Sequence, residues 1–281
     1  MPKNNAVVTE TRANDPQSAN EDALKETPLE GLAGICSVLV VGLFVLTFLA
    51  QNFVIPSGSM QNTLLIGDHL LVDRITLCEP AKWMPLVHAR EPQRGDLVVF
   101  KRPAPQPEPD EDGNPKYETL VKRLIGVPGD RIHLHEGVVY LNGVAQSAPA
   151  EGLDTPVSSP HELEYLDEFP AMLPTVEDDH GAVTSWVVEL PSHIENGELV
   201  VPPGKYFMMG DHRHGSLDSR FWGFVPRENI IGRPLFNYWS FKDPDGQYQK
   251  TGLGTRIAWL GHVALHFFTD TRWKRTFARV K

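Results

Sequence analysis

Two cysteines in 281 residues leave little material for a disulfide framework. Cys36 lies inside an apolar run and Cys78 beyond it, which argues against an intramolecular bond. A large domain outside the cytosol can do without disulfides, so the scarcity assigns no compartment. Positive charge is also short. Against 36 acidic residues stand 26 lysines and arginines, and the net charge of -10 gives none of the basic character by which proteins usually hold nucleic acid. Residues 1–30 contain no aromatic side chain and carry six acidic and three basic ones, the composition of a disordered tail. Internal repeats are absent, and helical periodicity is hard to find between residues 53 and 250.

What is present begins with residues 31–50, GLAGICSVLVVGLFVLTFLA, twenty positions without a charge. A helix of that length spans roughly 30 Å, the hydrocarbon thickness of a bilayer. A cleaved secretory signal would have a short basic leader and a shorter apolar core; here a long acidic leader precedes a long run. The sequence therefore predicts a retained transmembrane helix over residues 31–52. Arg12 and Lys25 flank it on the N-terminal side, and no lysine or arginine follows within twenty residues. The positive-inside bias then puts the N-terminus in the cytoplasm and the body outside.

Beyond the span the pattern is short and β-like. Leu70–Val72, Asp96–Phe100, Leu120–Ile125, Val138–Leu141 and Ser185–Leu190 are runs of branched residues bounded by Gly, Pro or charge, and Asn142-Gly143 is a hairpin signal. The expected fold class is mostly β, an antiparallel and barrel-like sheet behind an N-terminal helix. Residues 53–135 and 200–240 form its core and 136–199 a less regular β insertion. Arg102 to Glu118, rich in Pro and acids, reads as an exposed loop. Leu253 to Phe268 is apolar but interrupted by Arg256 and two histidines, and within the tail 241–281 it reads as an amphipathic interfacial helix. Trp83 and Met84 suit a membrane interface or a packed surface loop equally well.

Between the two apolar stretches lies Ser57-Gly58-Ser59-Met60. Gly and Ser mark turns, but a serine here could also be a nucleophile for a substrate arriving in the membrane. Ser59 would need a base, because a hydroxyl is a weak nucleophile at neutral pH. The Gly-x-Ser-x-Gly elbow is absent. Eleven histidines leave a Ser-His-Asp triad open, with His212 or His214 as base. A lysine base would be embedded in apolar sequence, as Lys122 is in Thr119-Leu120-Val121-Lys122-Arg123-Leu124-Ile125. On a strand, Leu120 and Lys122 share one face and Val121 and Arg123 the other. The alternative is a pair of solvated charges on buried stems. A free lysine is neutral about four times in ten thousand at pH 7, and burial can lower its pKa by up to about 3 to 5 units, enough to supply a base.

Ser57-Gly58-Ser59-Met60 with Thr63-Leu64 and Gly67-Asp68 resembles the nucleophile segment of the bacterial type I signal peptidases. Lys122-Arg123 with Gly126-Val127-Pro128-Gly129-Asp130 resembles their base segment. Gly210-Asp211, Arg213 and Ser216-x-Asp218-Ser219-Arg220-x-Trp222-Gly223 resemble their last signature. The resemblance covers about residues 31–135 and 200–240. It implies a serine endopeptidase, with no cofactor, that releases exported preproteins from their signal peptides after small-x-small sites. It also implies a single-pass protein of the bacterial inner membrane, its catalytic domain on the outer face, in contact with lipid and monomeric.

By the same resemblance Ser59 is the nucleophile and Lys122 the general base. Ser57 and the Ser59 N–H hold the oxyanion, Ser216 orients the lysine, and Asp218, Arg220 and Asp211 support the site. Phe53, Ile55, Met60, Leu64, Leu70, Val99, Leu120 and Val121 match pocket positions, although by sequence alone they are ordinary core residues. One departure stands out. The family commonly has Asn-Arg-Asp-Asn where this chain has His212-Arg213-His214-Gly215, which puts the local turn hydrogen bonds and the pH profile in doubt. No further ligands accompany that His-x-His at metal-site spacing, so the sequence assigns no metal. A binding protein on a degenerate peptidase fold is the rival from another class; the joint presence of Ser59, Lys122 and Ser216 speaks against it.

Overall fold

The computed structural model describes residues 27–78, 89–103, 108–109, 115–147, 165–172, 184–242 and 252–280. Residues 1–26 of the expected tail, Trp83 and Met84, and residues 148–164 and 173–183 of the expected insertion lie outside these residues. The chain divides into two units, Met1–Leu46 and Thr47–Lys281.

In the first unit, helix α1 (Pro28–Phe44) starts three residues before the uncharged run. The reason is a capping box. Thr27 Oγ1 accepts from the Glu30 N–H at 3.3 Å, and the Glu30 carboxylate accepts from the Thr27 N–H at 2.8 Å. Pro28, which needs no partner for a missing N–H, occupies the first turn. The helix buries no side chain; Leu32, Val38 and Val40 stand on different sides of it, all exposed. It continues through a π-turn at Val45–Leu49, giving 22 residues, long and apolar enough to cross a membrane.

The second unit is mostly antiparallel sheet. Its first strands are β1 (Ala50–Val54), β2 (Asp68–Asp73), β3 (Leu97–Lys101), the short pair β4 (Glu108–Pro109) and β5 (Pro115–Lys116), and β6 (Thr119–Gly126). That short pair lies within the segment expected as a loop, Arg102–Glu118. Then come β7 (Arg131–His135), β8 (Val138–Leu141), β9 (Val144–Ala145), helix α2 (Thr184–Glu189), β10 (Ile194–Glu195), β11 (Glu198–Val200) and β12 (Lys205–Met209). The chain closes with α3 (Ser219–Trp222), β13 (Val225–Pro226), β14 (Ile230–Ser240), α4 (Leu253–Asp270) and β15 (Ala278–Arg279).

The main sheet runs β1-β2-β14-β3-β6-β12-β13, with β15 on β14. It curls because β14 pairs with β3 at Ile230 and Gly232 and with β2 from Arg233 onward. Gly232 permits that crossing, since a Cβ there would stand 2.1 Å from the Asp73 carbonyl oxygen. A second sheet, β10-β11-β7-β8-β9, takes in β7. Asn142 and Gly143 both have positive φ, the hairpin turn their sequence foretold.

One expectation fails outright. Ser185–Leu190 is the helix α2 running into a 3-10 turn, not a strand. Trp186 and Leu190 are its buried residues, four apart, and the Trp186 ring packs edge-on against Phe224 while its Nε1 donates to the Arg220 carbonyl at 2.9 Å. That burial overrides the strand preference of Val187 and Val188. The tail expected as an amphipathic helix is α4.

Candidate active site

The chain leaves β1 at Val54 and reverses through Ser57–Gly58–Ser59–Met60 before β2. Gln61 N–H bonds the Gly58 carbonyl at 2.9 Å, and Leu64 N–H the Met60 carbonyl at 2.8 Å. Met60 and Leu64 are buried beneath the turn, which leaves Ser59 half-buried and Ser57 exposed above it. The hydrophobic anchors thus fix where the two hydroxyls sit.

Lys122 lies on β6 opposite Val98 of β3 and is only 2% exposed. Its face of the strand continues into the buried Leu124 and Gly126, as the alternation requires. Nζ is 2.8 Å from Ser216 Oγ. Burial lowers the ammonium pKa from the usual 10.5 to about 8; Arg220 adds to the shift, and Asp218 partly opposes it.

Gly210 ties this lysine pocket to the serine turn. A Cβ at Gly210 would stand 2.2 Å from Ser216 Oγ and 2.5 Å from the Ser59 carbonyl oxygen. The same carbonyl accepts from the His212 N–H at 3.2 Å. Ser59, Gly210, Ser216 and Lys122 therefore form one constellation, assembled from β1–β2, β6 and the segment after β12.

Two buried carboxylates hold that segment. Asp211 accepts from Arg123 Nε and Nη2, both at 2.7 Å, and from Thr63 Oγ1 at 2.5 Å, so it joins β6 to the Ser59 turn. Arg123 is thus no solvated charge. Asp218 and Arg220 are both fully buried and form a bidentate pair, 2.9 Å on each arm. Burial alone would raise the Asp218 pKa, but the Arg220 charge and its hydrogen bonds, with Lys122 and the Gly210 N–H, hold it below the ordinary carboxylate value. Arg220 reaches on to the carbonyls of Arg213 and Leu166.

Of the expected pocket residues, Phe53, Ile55, Met60, Leu64, Leu70, Val99 and Val121 gather in one apolar cluster with Val72, Leu97 and Ile231. Leu120 does not join them; it sits on the other face of β6 and packs against the larger core. His212 is buried, and His214 is exposed, with Nε2 2.8 Å from Asp167. Sequence reasoning missed Arg275. Its guanidinium bonds the Asp68 carboxylate at 2.5 Å and the Thr63 carbonyl at 2.9 Å, while Ser240 Oγ donates to Asp68 at 2.6 Å. No motif signals a contact 207 positions apart.

These segments, in this order, match a known family. Its sequence model, described as signal peptidase, peptidase S26, covers residues 29–239. The chain belongs to the signal peptidase family. Signal peptidase I of Pseudomonas aeruginosa is 31% identical over 262 residues, which span 86% of this chain and 85% of that one. Signal peptidase I of Buchnera aphidicola is 28% identical over 271 residues, 84% of this chain and 82% of that one. A crystal structure of a signal peptidase I from Enterococcus faecalis matches at 27% identity, covering 51% of this chain and 97% of that one, with a TM-score of 0.29. Membership of this family implies peptidase activity.

Proposed function

We propose that this family member is a membrane-anchored serine endopeptidase that removes signal peptides from exported preproteins after Ala-x-Ala-type sites, with Ser59 as nucleophile and Lys122 as general base. The observation that carries the reading is a buried lysine, bonded to Ser216 and depressed in pKa, whose partner serine touches the Ser59 turn through Gly210. At a pKa of about 8, roughly a tenth of the lysine is neutral at pH 7, against about one part in three thousand at the usual value.

The chemistry follows from these groups. Lys122 Nζ takes the Ser59 proton as Oγ attacks the scissile carbonyl carbon. The Ser59 N–H and the Ser57 hydroxyl hold the resulting oxyanion, each such donor being worth about 10²–10³ in rate. Collapse breaks the C–N bond, and Lys122 returns the proton to the leaving amine of the mature protein. Water, activated by the same lysine, then hydrolyses the acyl-enzyme and frees the signal peptide. Ser216 orients the lysine. Asp211, Asp218 and Arg220 keep its supporting segment in place. Phe53, Ile55, Met60, Leu64, Leu70, Val99 and Val121 border shallow pockets that admit small side chains, and Leu120 backs the base strand from the opposite face.

The helix α1 supplies the anchor, with the N-terminus in the cytoplasm and the body on the outer face of the inner membrane. The side of α4 with Ile257, Leu260, Leu265 and Phe268 exposed supports its resting in the lipid interface. Cleavage of a preprotein with an Ala-x-Ala site tests the reading. Wild type is expected to cut after the second alanine, and Ser59→Ala and Lys122→Ala to lose at least about 10³-fold. Activity retained in either variant would sink the dyad.

A further inference from the structure

The outward side of α4 is apolar, and its polar groups line the other side. Trp259, His262, Val263 and Asp270 are half-buried against the body, while Ile257, Leu260, Leu265 and Phe268 stand exposed. The half-buried His262 and Asp270 and the exposed His266 between them follow at successive four-residue steps, and one ligating atom from each lies within 4.8 Å of the others.

Two details distinguish this cluster from a solvated polar row. His266 Nδ1 lies 3.1 Å from the His262 carbonyl oxygen. A carbonyl only accepts, so Nδ1 carries the proton and Nε2 keeps a free lone pair. Ligating histidines are held in this way, with the second ring nitrogen donating to a backbone oxygen or a carboxylate. His262 Nε2, for its part, is buried and has no hydrogen-bond partner among the described residues; the Asp270 carboxylate lies 3.6 Å away, just beyond bonding reach. A polar atom so placed is unfavourable unless something joins it. The His262 ring cannot easily turn away, since Trp259 stacks on it and Phe241 meets it edge-on.

We propose that His262, His266 and Asp270 bind a divalent transition-metal ion, Zn²⁺ by ligand class. Two imidazoles and one carboxylate suit zinc, whereas magnesium and calcium prefer oxygen alone. Bonds of about 2.0–2.2 Å place ligand atoms about 3.4 Å apart in a tetrahedron. The His262–Asp270 pair at 3.6 Å already meets that spacing, and the exposed His266 closes the rest by a side-chain adjustment. The fourth position is open to water. The ion clamps the last turns of α4 where Lys242 N–H bonds the Asp270 carbonyl at 3.0 Å and Thr271 bridges to Phe241, so the helix end becomes rigid against the sheet.

The test uses the full chain in detergent, stripped with a chelator, dialysed and titrated with zinc chloride by calorimetry. One equivalent is expected, with a rise in melting temperature. His266→Ala and Asp270→Asn should each weaken binding by roughly tenfold or more and abolish the thermal shift, while melting like the wild-type apo protein. Loading with Co²⁺ should give visible d–d absorption in wild type and lose it in both variants. Substoichiometric zinc, or variants that bind and absorb like wild type, would overturn the site.

Discussion

Lys122 meets opposite demands that one number connects. Burial that suits it to the proposed base role also makes its charged form unfavourable in the folded protein. From a folded pKa near 8 and an unfolded value of 10.5, charging the buried amine costs about 3 kcal/mol at about 1.36 per unit. The unfolded chain binds this proton more tightly, so the penalty is complete below pH 8 and vanishes as pH rises towards 10.5. Lys122→Met is therefore expected to be more stable than wild type at pH 7, by up to about 3 kcal/mol, with the advantage shrinking between pH 8 and 10.5. Thermal denaturation across that range checks it, and a pH-independent difference would contradict it. Asp218→Asn should behave in the opposite sense. It leaves a fully buried Arg220 without its counter-charge, and losing one partner of such a pair costs about 3–5 kcal/mol. A melting curve indistinguishable from wild type would refute that.

At the scale of elements, the site is a meeting of three segments, and Gly210 is where they touch. Gly210→Ala is expected to push Ser216 from the Ser59 turn and to lower kcat by about 10² or more, since a displacement near 1 Å suffices. Cleavage assays on the folded variant decide this; near-normal turnover would mean the contact is incidental. Much of this level was legible in sequence. β2, β3, β6 and β8 announce themselves through branched residues, and the alternation around Lys122 correctly places its side chain inward. Ser59, Lys122 and Ser216 could be singled out because their motifs are short and ordered. The helix α2 was illegible because Val187 and Val188 favour a strand locally, and only the tertiary burial of Trp186 decides otherwise. That Leu120 packs against the larger core and not with Val121 was not legible, because alternation gives a strand's two faces but not what each one packs against. Arg275 had no local signal at all; its partner Asp68 belongs to a turn that only the folded tail reaches.

The whole molecule joins an apolar helix of 22 residues to a body that presents a second apolar surface on α4. If that surface rests in lipid, Leu265→Lys should reduce preprotein cleavage in vesicles several-fold and leave hydrolysis of a short soluble peptide unchanged. Equal loss on both substrates would place the effect in the site instead. The histidines that replace the family's usual residues sit off the proposed reaction path. His214 pairs with Asp167, and His212 meets Ser59 through its backbone N–H. The measurement that bears most directly on the central claim is the pH dependence of kcat/KM for preprotein cleavage, in wild type and in His212→Asn and His214→Asn. A lysine base predicts a tenfold rise per pH unit that levels off near 8, retained in both variants. An inflection near 6.5 that disappears with either histidine would contradict the Ser59–Lys122 dyad and assign the base to histidine.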